Sequence, residues 1–541
     1  MSAADWPLLA TPPELARRYW REDLWNDQSL GQYLDACMRA EHRLEFRVWS
    51  QSHPFRADLG RMRELARRVA GGLRARGVGP GDVVAFQMPN WMEAAVTFWG
   101  LSLLGATIVP IVHFYGPKEV RFILQDSRAR FLLTVDRFGS RDYLAALSEL
   151  APQVEKLERV FVLGQVPSGC GDFAPLLAAD PIAGPAALDP ATPAFVAYTS
   201  GTTADPKGVI HTHRSAVAEI RSKIDFRVLP RGCKPNLVGA PVSHAIGMLG
   251  VLLMPLAWKE PVHMTDVWDP REVLRAMLEG DLTAGSGSTY FLTSLLDHPD
   301  FTPAHLANMR YAALGGSTVP PAIAERAEGL GISVVRGYGS TEHPTISGSL
   351  HPEPREKRLY TDGHALPGVE IRLVDEAGRE VGPGEWGEVT SRGPDLFAGY
   401  TDPELTAEAV DAEGWFATGD IGVLDPEGYL TITDRKKDII IRGGEKVSSA
   451  EVEECLLRMP GVAEVAVVPA PDARLGEHGC AFLRPLAGAA APDLAALRAH
   501  LARIGLAKQK WPEEVRAVED FPRTPSGKIK KFALRAALWG K

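Results

Sequence analysis

Residues 198–209 read YTSGTTADPKGV, with three threonines, one serine and two glycines around a single lysine, Lys207. Small and hydroxyl residues crowded about Gly201 can turn N–H and O–H groups onto phosphate oxygens, and Lys207 adds a cation there. The glycine spacing is not that of the G-x-x-x-x-G-K-[ST] phosphate loop, so a polar turn between strand and helix is the plain alternative. Other segments hold reactive types in weaker settings. His244 stands in PVSHAIG (241–247), which alone fits a satisfied core histidine, and ALGGSTVP (313–320) alone is a glycine-rich turn. The charged run DRKKD (434–438) fits a solvated linker. The segment 523–541 carries six Lys/Arg and no acid, which fits a solvated terminal helix.

The elements that must position these residues alternate. Leu59, Met62, Leu65, Ala66, Val69 and Leu73 follow helical spacing across 58–76, with arginines on the other face. Glycines and Pro80 at 77–81 stop that helix. Strands at 83–86, 107–112 and 131–135 are expected, each followed by a helix (91–104, 117–125, 140–150). Strands alternating with helices imply a parallel sheet covered on both faces. The Gly/Pro/Ala-rich stretch 164–193 reads as a surface connector, after which the alternation runs from 194 to about 345. From 369 to 430 short alternating runs separated by turns predict hairpins or a small barrel. A compact αβ unit closes the chain, with helices at 450–459 and 493–504 and strands at 465–469 and 514–518.

Composition narrows the classes. The 541 residues are 45% hydrophobic and 23% charged, ordinary for a globular chain long enough to bury large cores. A net charge of −9 argues against a nucleic-acid binder. Five widely spaced cysteines without a C-x-x-C pair suggest neither a disulfide framework nor a zinc site. The low-charge stretches 98–112 and 245–258 fall short of the ~18 apolar residues of a membrane span. With no basic-then-apolar leader at the start, a cytoplasmic protein is expected, with no nucleic acid and no transmembrane segment, and with a homodimer left open.

The order of residues in 198–209, rather than its composition, resembles the phosphate-loop signature of the adenylate-forming superfamily of acyl-CoA synthetases, luciferases and adenylation domains. Further motifs resemble that family in the same order through residue 531. The resemblance implies nucleotide contacts from Thr199, Ser200, Gly201, Thr202, Thr203 and Lys207, with Ala204 replacing a more permissive glycine. It puts His244 near the substrate carboxylate and lays Gly315, Gly316 and Ser317 against adenine. In GYGSTE (337–342) it implies Gly337, Tyr338 and Gly339 at the adenine, Tyr338 stacking, Thr341 at the α-phosphate, and Glu342 with Thr199 on Mg²⁺, for which carboxylate oxygen is a hard ligand. GEVTSRGPDLFAGY (387–400) matches another family segment. In WFATGD (415–420) Asp420 would accept the ribose hydroxyls, and in DRKKD Arg435 would meet ribose or phosphate with Lys437 as the pivot. GGEKVSSAE (443–451) resembles the thiol-acceptor tunnel loop, giving Gly443, Gly444, Glu445 and Lys446; here Lys446 replaces Asn and Ser449 replaces Pro. RTPSGKIKK (523–531) assigns Lys528 as catalytic, while Lys530, Lys531 and Arg535 keep the solvated reading.

The resemblance implies an α/β fold: a large N-terminal domain (1–433) of parallel-type αβ subdomains plus a small β-barrel-like subdomain, a hinge (434–438), and a small mobile α+β C-terminal domain (439–541). It implies a ligase using ATP, Mg²⁺ and CoA. Carboxylate attacks the α-phosphorus, pyrophosphate leaves, and a thiol then displaces AMP. Lys528 and the 443–451 loop sit on opposite parts of the small domain, so a large rotation must separate the half-reactions. The acyl pocket is assigned to His244, Ile246, Met248, Tyr290, Gly315, Gly316 and His343, with Leu249 and Phe291 as further apolar walls. The absence of Lys or Arg from 238 to 256 argues for a hydrophobic monocarboxylic acid: medium or long-chain fatty, alicyclic or aryl. Spelling at 109–116 is closest to bacterial fatty-acid and cyclohexanecarboxylate-type CoA ligases. The alternatives are a stand-alone enzyme loading an acyl carrier protein and a nucleotide-binding protein that has lost catalysis.

Overall fold

The computed structural model describes residues 6–199, 206–224, 226, 229–443, 445–486, 488–524 and 528–539. A seven-stranded sheet runs in the order Lys207–Thr212, Pro193–Thr199, Thr107–Pro110, Val83–Gln87, Phe131–Val135, Arg159–Leu163, Gly171–Asp172. All its pairings are parallel except that of the first two strands. A five-stranded sheet (Thr283–Ala284, Asn236–Val238, Val262–Thr265, Glu45–Trp49, Phe55–Asp58) forms the second layer.

Between the two sheets lies the helix Met92–Leu104, every residue of which is buried. Being apolar on all sides, it needs protein all round it. It gets that from the helix Leu59–Arg74 and from both sheets, through Phe46 and Met264 on one side and Phe86 and Leu133 on the other. This explains the apolar run at 98–112: it is a core helix, and no described helix is long and apolar enough to cross a membrane. Leu59–Arg74 starts at Asp58, whose carboxylate accepts from Arg61 N at 2.7 Å.

The stretch 164–193 does more than connect. It contains the helix Ala174–Leu177, fully buries Phe173 and Leu176, and runs so close to Leu59–Arg74 that a Cβ on Gly71 would stand 1.9 Å from Asp180 O. Most of its other residues are exposed or half-buried, so it is a surface connector pinned to the core at a few points.

A four-stranded sheet, Tyr311–Gly315, Ser333–Tyr338, Ser347–Gly348 and His364–Ala365, follows. The region expected as hairpins or a small barrel is an antiparallel meander of Glu370–Val374, Trp386–Arg392, Phe416–Leu424 and Leu430–Arg435. The small C-terminal domain has its own sheet, centred on the hairpin Val462–Asp472/Gly476–Pro485, and its own core around Val452, Leu456, Leu497 and Leu501. Cys37, Cys170, Cys455 and Cys480 form no disulfide.

Candidate active site

The described residues on either side of the phosphate-loop candidate are two strands, not a strand and a helix. Pro193–Thr199 pairs antiparallel with Lys207–Thr212, and Thr199 faces Lys207 directly. Ser200, Gly201, Thr202 and Thr203 lie outside the described residues, as does Gly444. The segment 398–401 runs along the hairpin as an added edge, with Ala398 N on Ile210 O (2.7 Å) and Thr401 N on Gly208 O (2.8 Å). Gly208 must be glycine for this, because a Cβ there would lie 2.7 Å from the Thr401 side chain. The edge delivers Tyr400, whose ring stands 5.3 Å from the Lys207 ammonium and whose hydroxyl donates to Glu342 Oε1 at 2.8 Å. Glu342 is thus aimed by a residue outside the sequence-derived set, although Tyr400 closes the 387–400 motif. His211, also absent from that set, donates or accepts through Nε2 at 2.8 Å from the Thr341 carbonyl. Since a carbonyl only accepts, Nε2 carries the proton.

A cavity of about 2450 Å³ collects most of the expected residues: Thr199, Lys207, His244, Ile246, Tyr290, Gly315, Gly316, Ser317, Gly337, Tyr338, Gly339, Thr341, Glu342, Asp420, Arg435, Lys437, Lys446 and Lys528. Close strand pairing explains two glycines. Gly315 faces Gly337 in a parallel ladder, where a Cβ would meet Gly337 O at 2.6 Å, and a Cβ on Gly339 would meet Pro344 O at 2.2 Å. Asp420 and Arg435 are register partners on adjacent strands. Arg435 Nε holds Asp420 Oδ1 at 2.9 Å and the Tyr338 hydroxyl donates to Oδ2 at 2.7 Å. Burial and the Asp420 charge hold the Tyr338 hydroxyl well above the usual phenol range.

Lys528 enters from the small domain in a tight loop, with Thr524 N on Lys528 O (2.7 Å) and Lys528 N on Thr524 Oγ1 (3.1 Å). Burial, reinforced by the Arg435 and Lys437 cations, brings its ammonium down to about 8 against the pull of Asp420 and Glu342. His244 is brought down to about 4, first by burial and then by Lys528. It is therefore neutral near pH 7. Ile246 N donates to its Nδ1 at 3.4 Å, which leaves Nε2–H as the donor available to a carboxylate.

Three assignments are corrected. His343 does not line the cavity. The turn that puts Ser340 N on His343 O (2.9 Å) swings its ring into the core, where it is fully buried against Ser391 Oγ (2.8 Å) and Asp395 Oδ1 (3.3 Å). Met248 and Phe291 face the main core, and Leu249 lines the acyl side instead of Met248. The thiol-tunnel assignment is a different case, since it concerns the second half-reaction: here Gly443 and Glu445 do not line the cavity, and the Lys446 ammonium is paired with Glu376. Lys531 and Arg535 are not free in solvent: Lys531 pairs with Glu453 at 2.7 Å, and Arg535 donates to Lys437 O at 2.9 Å.

Glu342 suits a magnesium ion held by one carboxylate together with phosphate oxygens. Among the described residues no group of three or more His, Cys, Asp and Glu side chains forms a closed metal cage. Thr199 borders the same cavity.

Residues 56–401 match the model of the AMP-binding enzyme family, and residues 451–528 match that of the AMP-binding enzyme C-terminal domain. The medium-chain fatty-acid–CoA ligase of Escherichia coli (strain K12) is 34% identical over 527 residues, covering 96% of this chain and 92% of the relative. The 3-[(3aS,4S,7aS)-7a-methyl-1,5-dioxo-octahydro-1H-inden-4-yl]propanoyl:CoA ligase of Rhodococcus jostii (strain RHA1) is 34% identical over 89% of this chain and 93% of its own length. Among solved structures, ATP-bound MatB from Rhodopseudomonas palustris superposes with a TM-score of 0.82 at 28% identity, covering 94% of this chain and 99% of that one. The apo form of the same protein gives 0.73. The chain belongs to the AMP-binding enzyme family, in its acyl-CoA ligase branch. It is an AMP-forming acid–thiol ligase that works with ATP, Mg²⁺ and CoA.

Proposed function

We propose that this ligase activates a hydrophobic monocarboxylic acid (medium or long-chain fatty, alicyclic or aryl) as acyl-AMP and then passes the acyl group to CoA. The observation that carries the reading is the meeting of Lys528, from the small domain, with Glu342, Asp420, Arg435 and His244 around one cavity.

Joining a carboxylate to the α-phosphate brings two anions together, so the protein's part is to neutralise and position. Asp420 takes the ribose hydroxyls, and Tyr338, tied to Asp420, offers its ring face to adenine. His244, neutral with Nε2–H free, donates to the acid's carboxylate. Glu342 and Thr199 would hold Mg²⁺, which supplies charge neutralisation at the phosphates. Lys528, at about 8 in the free enzyme, gains its proton more firmly once phosphates are bound and stabilises the charge redistributed as pyrophosphate leaves. Thr341, with its carbonyl fixed by His211, meets the α-phosphate.

Ile246, Leu249 and Met254 line the acyl side, and residues 238–256 contribute no cation. This supports an acid without a second carboxylate near His244. The named substrates of the two relatives, a medium-chain fatty acid and a bicyclic propanoic acid, lie within the class.

We read residues 1–433 as the large domain, 434–438 as the hinge and 439–541 as the small domain. In the second half-reaction the small domain turns about Lys437 and brings Gly443–Lys446 to the thiol's path. The better superposition on the ATP-bound than on the apo form of MatB supports the adenylating arrangement for this structure. The test is pyrophosphate release across a panel of fatty, alicyclic and aryl acids, with and without CoA. Release with apolar acids, and CoA-dependent thioester, is the expected result. Release only with dicarboxylates or amino acids would overturn the substrate class.

A further inference from the structure

Asp434, the first hinge residue, is anchored to one domain and reaches into the other. Its backbone is fixed to the large domain, where it pairs with Ile421 in the strand ladder, and Lys436 N two residues on still donates to Gly419 O at 3.0 Å. The chain then turns, with Asp438 N on Arg435 O at 2.8 Å, and Ile440–Arg442 already lies in the small-domain sheet. The Asp434 carboxylate crosses this boundary. Ser449 Oγ donates to its Oδ1 at 3.3 Å and Ala450 N approaches Oδ2 at 3.4 Å, both at the start of the helix Ser449–Leu457.

The contact continues inward. Ser449 Oγ accepts from Lys531 Nζ at 3.0 Å, and Lys531 is held by Glu453, which also accepts from Val467 N at 2.6 Å. One line of hydrogen bonds thus joins a large-domain carboxylate to Lys531, three residues beyond Lys528 in the same segment. Asp434 is 6% exposed and Ser449 fully buried, so water does not compete for the bond. Two ion pairs that cross the same boundary are weaker anchors. Lys446–Glu376 is 60% and 80% exposed, and Arg458–Glu325 is 46% and 28% exposed; such pairs contribute little. Where the family resemblance leads one to expect proline, which has no hydroxyl, this chain has Ser449.

We propose that Asp434 is a positioning residue for the adenylating step: through Ser449 it docks the small domain in the orientation that presents Lys528 to the α-phosphate, and it releases that domain when the chain turns about Lys437. This rests on the two-step reading above. It predicts that docking strength, and with it the share of molecules poised for adenylation, is set at residue 449, far from any substrate.

The test uses the full chain with Ser449→Ala, Asp434→Asn and the double variant. Limited trypsin digestion reads docking without any activity, because the hinge offers Arg435, Lys436 and Lys437. Loss of a hydrogen bond to a carboxylate, at about 1.4 kcal/mol, raises the undocked population and hinge cleavage about tenfold. Pyrophosphate release follows the docked share, so it should slow by less than cleavage rises, while thioester formation from supplied acyl-adenylate and CoA should not slow. The double variant should be no worse than either single one. Wild-type cleavage rates in Ser449→Ala would overturn the docking role. So would equal loss of both half-reactions together with a fall in Tm, since Ser449 would then merely support the small-domain fold. If the wild-type chain released no pyrophosphate with any acid, the functional reading would fail, and the digestion series would still judge the docking.

Discussion

Asp420 is held from two sides, by the Tyr338 hydroxyl at 2.7 Å on Oδ2 and by Arg435 Nε at 2.9 Å on Oδ1. A nucleotide sugar must therefore share or displace these partners. Asp420→Ala should weaken ATP binding by about 1.5–3 kcal/mol for each charge-assisted hydrogen bond lost, at least tenfold in Kd. Tyr338→Phe keeps the ring face and frees one carboxylate oxygen, so its effect on Kd should be much the smaller of the two. Calorimetric titration of both variants with ATP measures this; equal Kd values for Asp420→Ala and wild type would remove Asp420 from the nucleotide site.

The Lys528 ammonium sets a pH limit. Its value of about 8 lies below the ordinary lysine range, so in the free enzyme the protonated form is lost as pH rises through about 8. The plot of kcat/KM for ATP against pH, which reports the free enzyme, should fall on its alkaline side near that value. Bound phosphates favour the cation, so the limb for kcat should lie higher. In Lys528→Ala the residual rate should lose the limb altogether. An alkaline limb at the same pH in both parameters would mean that another group titrates.

Acyl selectivity should respond at Ile246 more cleanly than at Gly316. Gly316 has φ +72°, and a Cβ there would lie 2.5 Å from Ile246 Cδ1. Any side chain at 316 is strained as well as crowded. Ile246 has no such constraint and stands across the same space. Ile246→Ala should raise activity with bulky ring acids relative to short ones, and Ile246→Trp should do the reverse. A panel in which all acids change by one common factor would place the pocket elsewhere.

His343 should matter to stability and not to substrate choice. Removing it takes one hydrogen bond from the buried Asp395 carboxylate, which keeps its contact with Glu219, and losing a hydrogen bond to a charged group costs about 1.5–3 kcal/mol. His343→Ala should lower Tm sharply while the relative KM values among acids stay as in wild type. A reordered acid preference with little change in Tm would return this residue to the pocket.

How far the site could be read from sequence depended on where the information lay. The 337–342 segment was legible because its chemistry is local, a glycine that lets two strands approach followed closely by a carboxylate that borders the cavity, whereas residues 200–205 of the other motif lie outside the described residues. Tyr400 and His211 were not in the sequence-derived set, because their roles come from segment 398–401 lying against 208–210 and from His211 meeting the Thr341 carbonyl, contacts that no local pattern encodes. His343 misled for a similar reason. Its neighbour Glu342 faces the cavity, but Asp395, from a distant loop, draws the histidine the other way. The alternating elements of the large domain were read to within a few residues. The stretch 164–193 is the surface connector its composition predicts along most of its length, and the buried anchors Phe173, Leu176 and Ile182 were not foreseen.

The two lysines of the small domain should separate the two chemical steps. Lys528 acts where charge moves between carboxylate, phosphorus and leaving pyrophosphate; losing one such preorganised contact typically costs on the order of 10²–10³ in rate. On the proposed two-step reading, thioester formation from a supplied acyl-adenylate needs no cation at that point, because the small domain would by then have turned away. Lys528→Ala should therefore lose pyrophosphate release and keep the second step. Lys437 lies between Lys436, whose N–H is bound to Gly419 O in the large domain, and Ile440, in the small-domain sheet. Proline there fixes φ near −65° and restricts a residue that must change its dihedrals. With Lys528 already at the site, Lys437→Pro should still form acyl-adenylate but pass it slowly to CoA. Both half-reactions are measured on both variants, the second with synthetic acyl-adenylate. Opposite losses are the expected pattern. Equal damage to both steps in each variant would mean that the lysines support folding alone and that the half-reactions do not divide at this hinge.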